Sequence, residues 1–139
     1  MELRFFEIYR NTEYLLLLAE GILTSAVLTI SAGMMGFVLA TLLAGARHHS
    51  WPVLGQLSAT FIEFIRNTPL IVQLFFVAFG LPLLLGYQWA FWAHALLALT
   101  INFSAYFAEI LRSGFLSVPI GQLEAAKTLG IPSFIAFWK

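Results

Sequence analysis

Four polar side chains stand inside long apolar stretches of the sequence, where they could meet a small polar solute. A polar group within a membrane helix is costly, so it faces either a partner helix or a water-filled path. In the first case it forms interhelical hydrogen bonds, worth around 1 kcal/mol each. In the second case it lines a solute path. The four candidates for that path are Arg66, Gln73, Asn102 and Tyr106.

Arg66 has two alternative positions, and the sequence does not choose between them. If its helix begins near Val53, Arg66 lies roughly 20 Å along it and well inside a bilayer. If the helix begins at Asn67, the side chain lies at the interface and snorkels towards water. Arg66 can also pair with Glu63, three positions earlier on the same helix face. Pro69 lacks a backbone N–H and therefore favours a kink close to Arg66.

A second polar face is predicted on the helix that contains Asn102. Spacings of four and three place Asn102, Tyr106 and Glu109 on one side, and Glu109 can also pair with Arg112. His94 stands alone, which favours an interfacial or satisfied core position over metal ligation. The sequence has no cysteine, no metal-ligand cluster, no nucleophile–base pair and no phosphate loop. We therefore expect no catalytic residue, no metal site and no ATPase site in the chain itself.

The segment that ends at Gly130 predicts a short helix over about residues 120–130. Pro119 suits the position just before the helix start, and Gly130 suits a C-terminal stop. Ala125 and Ala126 are small, so they would allow the backbone of a partner to approach closely. The residues alone favour a docking element and a solvated amphipathic turn equally.

Composition indicates the kind of element that must hold these residues. The chain is 60% hydrophobic and 10% charged, with a mean hydropathy of +0.89, whereas a soluble domain carries about 25% charged residues. Too few charges are present to cover a soluble core, so the apolar surface must face lipid or other membrane helices. The net charge is zero, which by itself says nothing about nucleic-acid or acidic partners. For a membrane-embedded chain we expect no nucleic-acid partner.

Runs without charged residues predict three transmembrane helices. At about 1.5 Å per residue, the run 21–46 is long enough to cross a hydrocarbon core of about 30 Å. The run 67–108 is too long for one span, and glycine and proline around residues 80–88 supply a break. We predict an interfacial helix over 1–20, then spans at approximately 21–46, 57–85 and 89–111.

The basic residues predict the orientation of these spans. Four of them fall on one side of the membrane and two on the other, which makes the first side cytoplasmic and the N-terminus external. They are Arg47, Arg112, Lys127 and Lys139 against Arg4 and Arg10. The predicted fold is therefore an all-α, polytopic membrane helical bundle.

Small residues recur every four positions in the first span. Such a stripe predicts a face that another helix can approach closely, although a chance pattern is the alternative. The stripe consists of Ala32, Gly36, Ala40 and Ala44.

Three groups of residues, in order, resemble the polar amino-acid branch of the permeases of ATP-binding cassette (ABC) importers. The first resembles a second-span signature, the second resembles the segment leading into the coupling loop, and the third resembles the EAA loop itself. EAA alone would be a weak tripeptide, but the ordered set is specific and covers about residues 21–137. The groups are Arg66-Asn67-Thr68-Pro69-Leu70 with Gln73-Leu74-Phe75-Phe76; Ala105-Tyr106, Glu109-Ile110, Arg112-Ser113-Gly114 and Val118-Pro119-Ile120-Gly121-Gln122; and Glu124-Ala125-Ala126 with Gly130 and Phe137.

The resemblance implies a truncated importer permease domain over residues 21–139 with a cytoplasmic coupling helix. Glu124 would contact an ATPase subunit, Ala125 and Ala126 would fit a groove on it, and Gly130 would shape the turn after the helix. The chain itself would bind no cofactor, because ATP is used by the ATPase subunit. The other implied partners are a second permease subunit, identical or different, and an external substrate-binding protein. The implied location is the bilayer of the bacterial inner membrane.

Members of that family continue past the EAA loop with two further core spans, whereas this sequence stops at Lys139. We therefore expect that the polypeptide alone does not transport. A non-transporting membrane scaffold or a degenerate permease fragment is the alternative. The amino acid carried is left open, because a separate binding protein sets much of that choice.

Overall fold

The computed structural model describes residues 12–48, 52–132 and 135, and this part of the chain consists of helices and their connections. The predicted all-α membrane class is confirmed: two helices are long and apolar enough to cross a membrane, and a bent pair can form a third span. The elements are α1 (Thr12–His48), α2 (Pro52–Arg66), α3 (Leu70–Phe75), a π-helical turn (Phe76–Gly80), α4 (Leu81–Leu85), α5 (Phe91–Ser117) and α6 (Ile120–Thr128).

The first helix begins earlier than the predicted span. Residues 12–20 belong to α1, so the predicted boundary between an interfacial helix and the span at residue 20 is not observed. The reason is that residues 15–19 are strong helix formers and no proline ends the helix there. The remainder of the predicted interfacial helix, residues 1–11, lies outside the described residues.

The predicted second span, residues 57–85, is not one straight helix. α2 and the unit formed by α3, the π-helical turn and α4 meet at an angle of 104°. The sequence predicts a kink here, but the observed change of direction is larger, because Pro69 has extended backbone angles (φ −56, ψ 138) and starts a new helix. The unit ends at Leu85, where the sequence predicts the end of this span. The helix continues through Gly80 and Pro82 and ends before Gly86, whose φ of 70° is in the left-handed region.

α1 and α5 are parallel and pack through small residues. Gly36 lies against Phe103 and Ser104, while Arg47, further along α1, reaches Glu109, further along α5. A Cβ atom at Gly36 would lie 2.9 Å from Cβ of Phe103 and 3.2 Å from the backbone nitrogen of Ser104. The predicted small-residue stripe is therefore a packing face. Its other members, Ala32, Ala40 and Ala44, are buried.

The apolar core lies where α2 packs against this helix pair. Ile62 and Ile65 of α2 form a buried cluster with Ala40 of α1 and with Ala105 and Ala108 of α5. The three small residues allow α2 to approach both long helices. As a result, the end of α2 lies beside α5.

The close approach at Gly36 can be tested by adding one methyl group. Gly36→Ala is expected to lower the free energy of unfolding by about 1–3 kcal/mol, because the new Cβ overlaps the α5 backbone. Stability would be measured by circular dichroism during denaturation in detergent micelles. Gly33→Ala is the matched control, since a Cβ there meets nothing within 4 Å. It should be neutral or stabilise the helix slightly. Equal stability of the two variants would contradict the close contact.

Candidate functional site

Gln73 connects the two halves of the broken span. Its side-chain Nε2 donates to the carbonyl of Ile65 at 2.7 Å and to the carbonyl of Thr68 at 2.9 Å. In an unbroken helix the Ile65 carbonyl would accept from the backbone N–H of residue 69, but Pro69 has none. The amide of Gln73 supplies the missing donor, so the carbonyls freed by the bend remain hydrogen-bonded.

Asn102 links this bridge to α5. Its Nδ2 donates to Oε1 of Gln73 at 3.2 Å, and both side chains are buried. Gln73 thus uses both of its amide hydrogens and its oxygen within the protein. The geometry favours interhelical hydrogen bonding, rather than a solute path, as the role of Gln73 and Asn102.

Arg66 and Tyr106, the other two candidates for the solute path, lie together at the surface. The guanidinium carbon of Arg66 is 5.7 Å from the centroid of the Tyr106 ring, a distance suited to a cation–π contact. Tyr106 is 44% exposed, and 40% of the Arg66 side chain is exposed. This pair retains a polar surface that an incoming solute could contact.

Three arginines from three helices surround the carboxylate of Glu109. Arg112 lies 2.8 Å away on α5, as the spacing predicts. Arg47 at the end of α1 donates to Oε2 at 3.0 Å, and Arg66 at the end of α2 lies 3.7 Å from the same oxygen. We refer to Arg47, Arg66, Arg112 and Glu109 as the arginine cluster. It joins the ends of α1 and α2 to α5.

The arginine cluster also shows where Arg66 lies. Because Arg66 shares a carboxylate oxygen with Arg47, it lies at the level where α1 ends, which favours the interfacial alternative over a position midway across the bilayer. The predicted pairing of Arg66 with Glu63 is absent from the ion pairs of the described residues, because Arg66 reaches Glu109 instead. Helix spacing could not reveal the contact of Arg47 with Glu109, because the two residues are 62 positions apart.

The helix expected to dock onto a partner has well-defined ends. α6 starts after Pro119, whose backbone is extended. At its other end, the N–H of Gly130 donates to the Lys127 carbonyl and the N–H of Ile131 donates to the Ala126 carbonyl. This pattern, with φ of 70° at Gly130, is a Schellman motif. It fixes the predicted C-terminal stop at Gly130.

α6 has no packing partner among the described helices. Glu124 and Ala125 are exposed and Ala126 is partly buried, while Ile120 and Leu123 present exposed apolar side chains. Thr128 Oγ1 donates to the Glu124 carbonyl at 2.6 Å within the helix. Phe137, the last residue of the EAA resemblance, lies outside the described residues. Relative to the described helices, α6 is thus a projecting element.

His94 is buried beside the start of α5. Its Nδ1 lies 3.2 Å from the Ala90 carbonyl, and its ring stacks on that of Tyr87 with centroids 5.7 Å apart. Nε2 has no hydrogen-bond partner among the described residues. Within residues 12–48, 52–132 and 135, no group of three His, Cys, Asp or Glu side chains could hold a metal ion. His94 is therefore buried, as one of the two alternatives from the sequence expects, but only one of its ring nitrogens lies within hydrogen-bond distance of a described residue.

The chain is similar in sequence to membrane components of transport systems. Residues 35–139 match the family described as "Binding-protein-dependent transport system inner membrane component". The probable glutamine ABC transporter permease protein GlnP of Bacillus subtilis (strain 168) is 38% identical over 121 residues, which are 87% of this chain and 55% of that relative. The L-cystine transport system permease protein TcyL of the same organism is 39% identical over 121 residues, 82% of this chain and 50% of that relative.

A solved structure shows the same fold. The crystal structure of an amino acid ABC transporter with histidines superposes with a TM-score of 0.85 at 34% sequence identity, and the match covers 98% of this chain and 62% of that chain. The chain spans about half the length of the curated relatives it matches.

The role of Gln73 in the bend can be tested by removing its amide. Gln73→Leu leaves the Thr68 carbonyl without its side-chain donor and the Ile65 carbonyl with only the Thr68 N–H at 3.3 Å, so we expect a loss of about 1–3 kcal/mol in the free energy of unfolding. Adding Pro69→Ala should recover part of this loss, because it restores a backbone N–H that can reach the Ile65 carbonyl. Denaturation followed by circular dichroism measures both changes.

Gln56→Leu is the matched control, because Gln56 is exposed on α2 and should change stability by less than about 0.5 kcal/mol. A Gln73→Leu protein as stable as the Gln56→Leu protein would contradict the bridge.

Proposed function

The chain belongs to the family of binding-protein-dependent transport system inner membrane components, and on that basis we propose that it is the membrane subunit of an ATP-driven importer of amino acids. Relatives named as permeases for glutamine, arginine and L-cystine support amino acids as the class of solute. Since these are polar or charged amino acids, we propose a solute of that kind. The family description gives the inner membrane as the location, and the relatives named above come from bacteria.

The observation that carries the proposal is the projecting helix α6. A membrane protein that works alone has no need of a short, capped helix that packs against none of the other described helices. The exposed Glu124 and the small Ala125 and Ala126 suit insertion into a groove of an ATPase subunit, and Gly130 sets the direction in which the chain leaves that groove. We therefore assign these four residues to ATPase coupling.

The solute path would use the exposed polar pair. Arg66 and Tyr106 present charge and a phenol ring at the surface of the described bundle. Gln73 and Asn102 would support the path indirectly by holding the bend. ATP hydrolysis would take place in the partner ATPase subunit, while a second permease subunit would complete the path and an external binding protein would deliver the solute.

Docking through α6 can be tested with a single introduced thiol. The chain has no cysteine, so Ala125→Cys provides one reactive group. We expect it to crosslink to the ATPase subunit of an amino-acid importer in the assembled complex. Thr24→Cys, more than 20 residues before the end of α1, is the control and should not crosslink. If the assembled complex gave no Ala125→Cys crosslink, the coupling role of α6 would be wrong.

Added bulk on α6 tests the same contact independently. Ala125→Trp is expected to weaken binding of the ATPase subunit at least tenfold, equivalent to about 1.4 kcal/mol, because the groove no longer accommodates the side chain. The stability of the chain alone should change little, since Ala125 is exposed. Ser113→Trp, at an exposed site of α5, is the matched control. Equal affinities of the two variants would favour a non-transporting scaffold.

A further inference from the structure

The arginine cluster lies where two charge-free runs end together. Residues 21–46 carry no charge before Arg47, and residues 67–108 carry none before Glu109. Because α1 and α5 are parallel and Arg47 contacts Glu109 directly, both helices leave the apolar region at the same level. In a bilayer, that level is the boundary between hydrocarbon and headgroups.

The cluster has more positive than negative charge. Three guanidinium groups share one carboxylate, so its formal net charge is +2. Glu63, one turn before Arg66, is exposed and is not ion-paired with the arginine cluster. A second anion would therefore complete the charge balance.

The guanidinium groups use only some of their hydrogen-bond donors in contacts with the described residues. Each arginine has five N–H groups, whereas Arg47 donates one and Arg112 two to Glu109. A planar guanidinium binds phosphate oxygens through paired hydrogen bonds. The charge and the donors together suit a phosphate group.

A cavity of about 260 Å³ opens beside two of these arginines. Arg47 and Arg112 line one part of it, and Phe115 and Leu116 line another. α1 ends at His48, whereas α5 continues past Arg112 to Ser117. The wall that α5 forms beyond α1 is apolar, so the cavity offers both charge and hydrocarbon surface to one ligand.

We propose that the arginine cluster binds the phosphate of an anionic phospholipid. The level of the cluster in the bilayer favours a lipid over a soluble anion, because a lipid phosphate is held in that plane. Basic pockets between transmembrane helices near the membrane surface suit phosphate-bearing headgroups. The ligand would neutralise excess charge where α1, α2 and α5 meet and thereby stabilise their contact. This proposal requires a membrane-embedded chain and does not rest on the proposed transport function, although Arg66 belongs to both sites.

Competition between two lipids tests the proposal directly. The detergent-solubilised chain would be incubated with equal amounts of phosphatidylglycerol and phosphatidylcholine of identical acyl chains, and retained lipid would be counted by native mass spectrometry. The wild type should retain phosphatidylglycerol preferentially. Each arginine replaced should lower that preference about fivefold, so Arg47→Gln/Arg112→Gln should reduce it about 25-fold.

Two further variants separate lipid binding from folding. Arg66→Gln removes an exposed guanidinium whose contact with Glu109 is the longest of the three, so it should fold while losing about fivefold in preference. Lys127→Gln removes the same charge from α6 and should leave the preference unchanged. Helix content would be checked by circular dichroism.

The outcomes that overturn the proposal are distinct. A wild type that retains both lipids equally would exclude an anionic lipid, and an equal loss in Arg66→Gln and Lys127→Gln would show only a general charge effect. Binding of inorganic phosphate to the same detergent-solubilised chain would be measured as a further test. Binding of phosphate without any preference for phosphatidylglycerol would identify a soluble-anion site and contradict the lipid assignment.

Discussion

The arrangement of the described helices depends on a hydrogen bond that proline cannot donate. Pro69 removes the i+4 N–H donor of the Ile65 carbonyl, which keeps only the Thr68 N–H at 3.3 Å as a backbone partner, and a carbonyl in an apolar environment must be satisfied. Gln73 supplies the donor from one turn further along, and it makes the bend of 104° compatible with a membrane interior. With the bend in place, the end of α2 can lie beside α5 while α3 also packs against α5.

The arginine cluster is a consequence of that arrangement. α2 brings Arg66 to the carboxylate that already holds Arg47 and Arg112. A single carboxylate between three guanidinium groups offsets one of their three positive charges at the point where each helix leaves the apolar region. Glu109 therefore fixes the positions of three helices relative to one another along the membrane normal. The small residues around Gly36 and Ala40 fix the distances between these helices.

Features that arise within one helix could be predicted from the sequence. The Glu109–Arg112 pair, the buried stripe in α1 and the Gly130 stop all follow from helix spacing or from local backbone preference. The bend angle and the contacts of Glu109 with Arg47 and Arg66 could not be predicted, because they depend on how separate helices pack. The roles of Gln73 and Asn102 also required the structure. A side-chain amide in an apolar run can either line a solute path or form an interhelical hydrogen bond, and only its observed partners distinguish the two roles.

The bond between Gln73 and Asn102 has a consequence for biogenesis. Asn102 follows Gln73 by 29 positions, and a chain made from its N-terminus presents Gln73 to the membrane first. The amide oxygen of Gln73 therefore has no Asn102 donor until α5 is synthesised. The hydrogen bonds from Gln73 to the carbonyls of Ile65 and Thr68 can form as soon as α3 is made. The bend of the second span can thus form early from local contacts. The hydrogen bond that attaches it to the bundle can form only after α5 has been inserted.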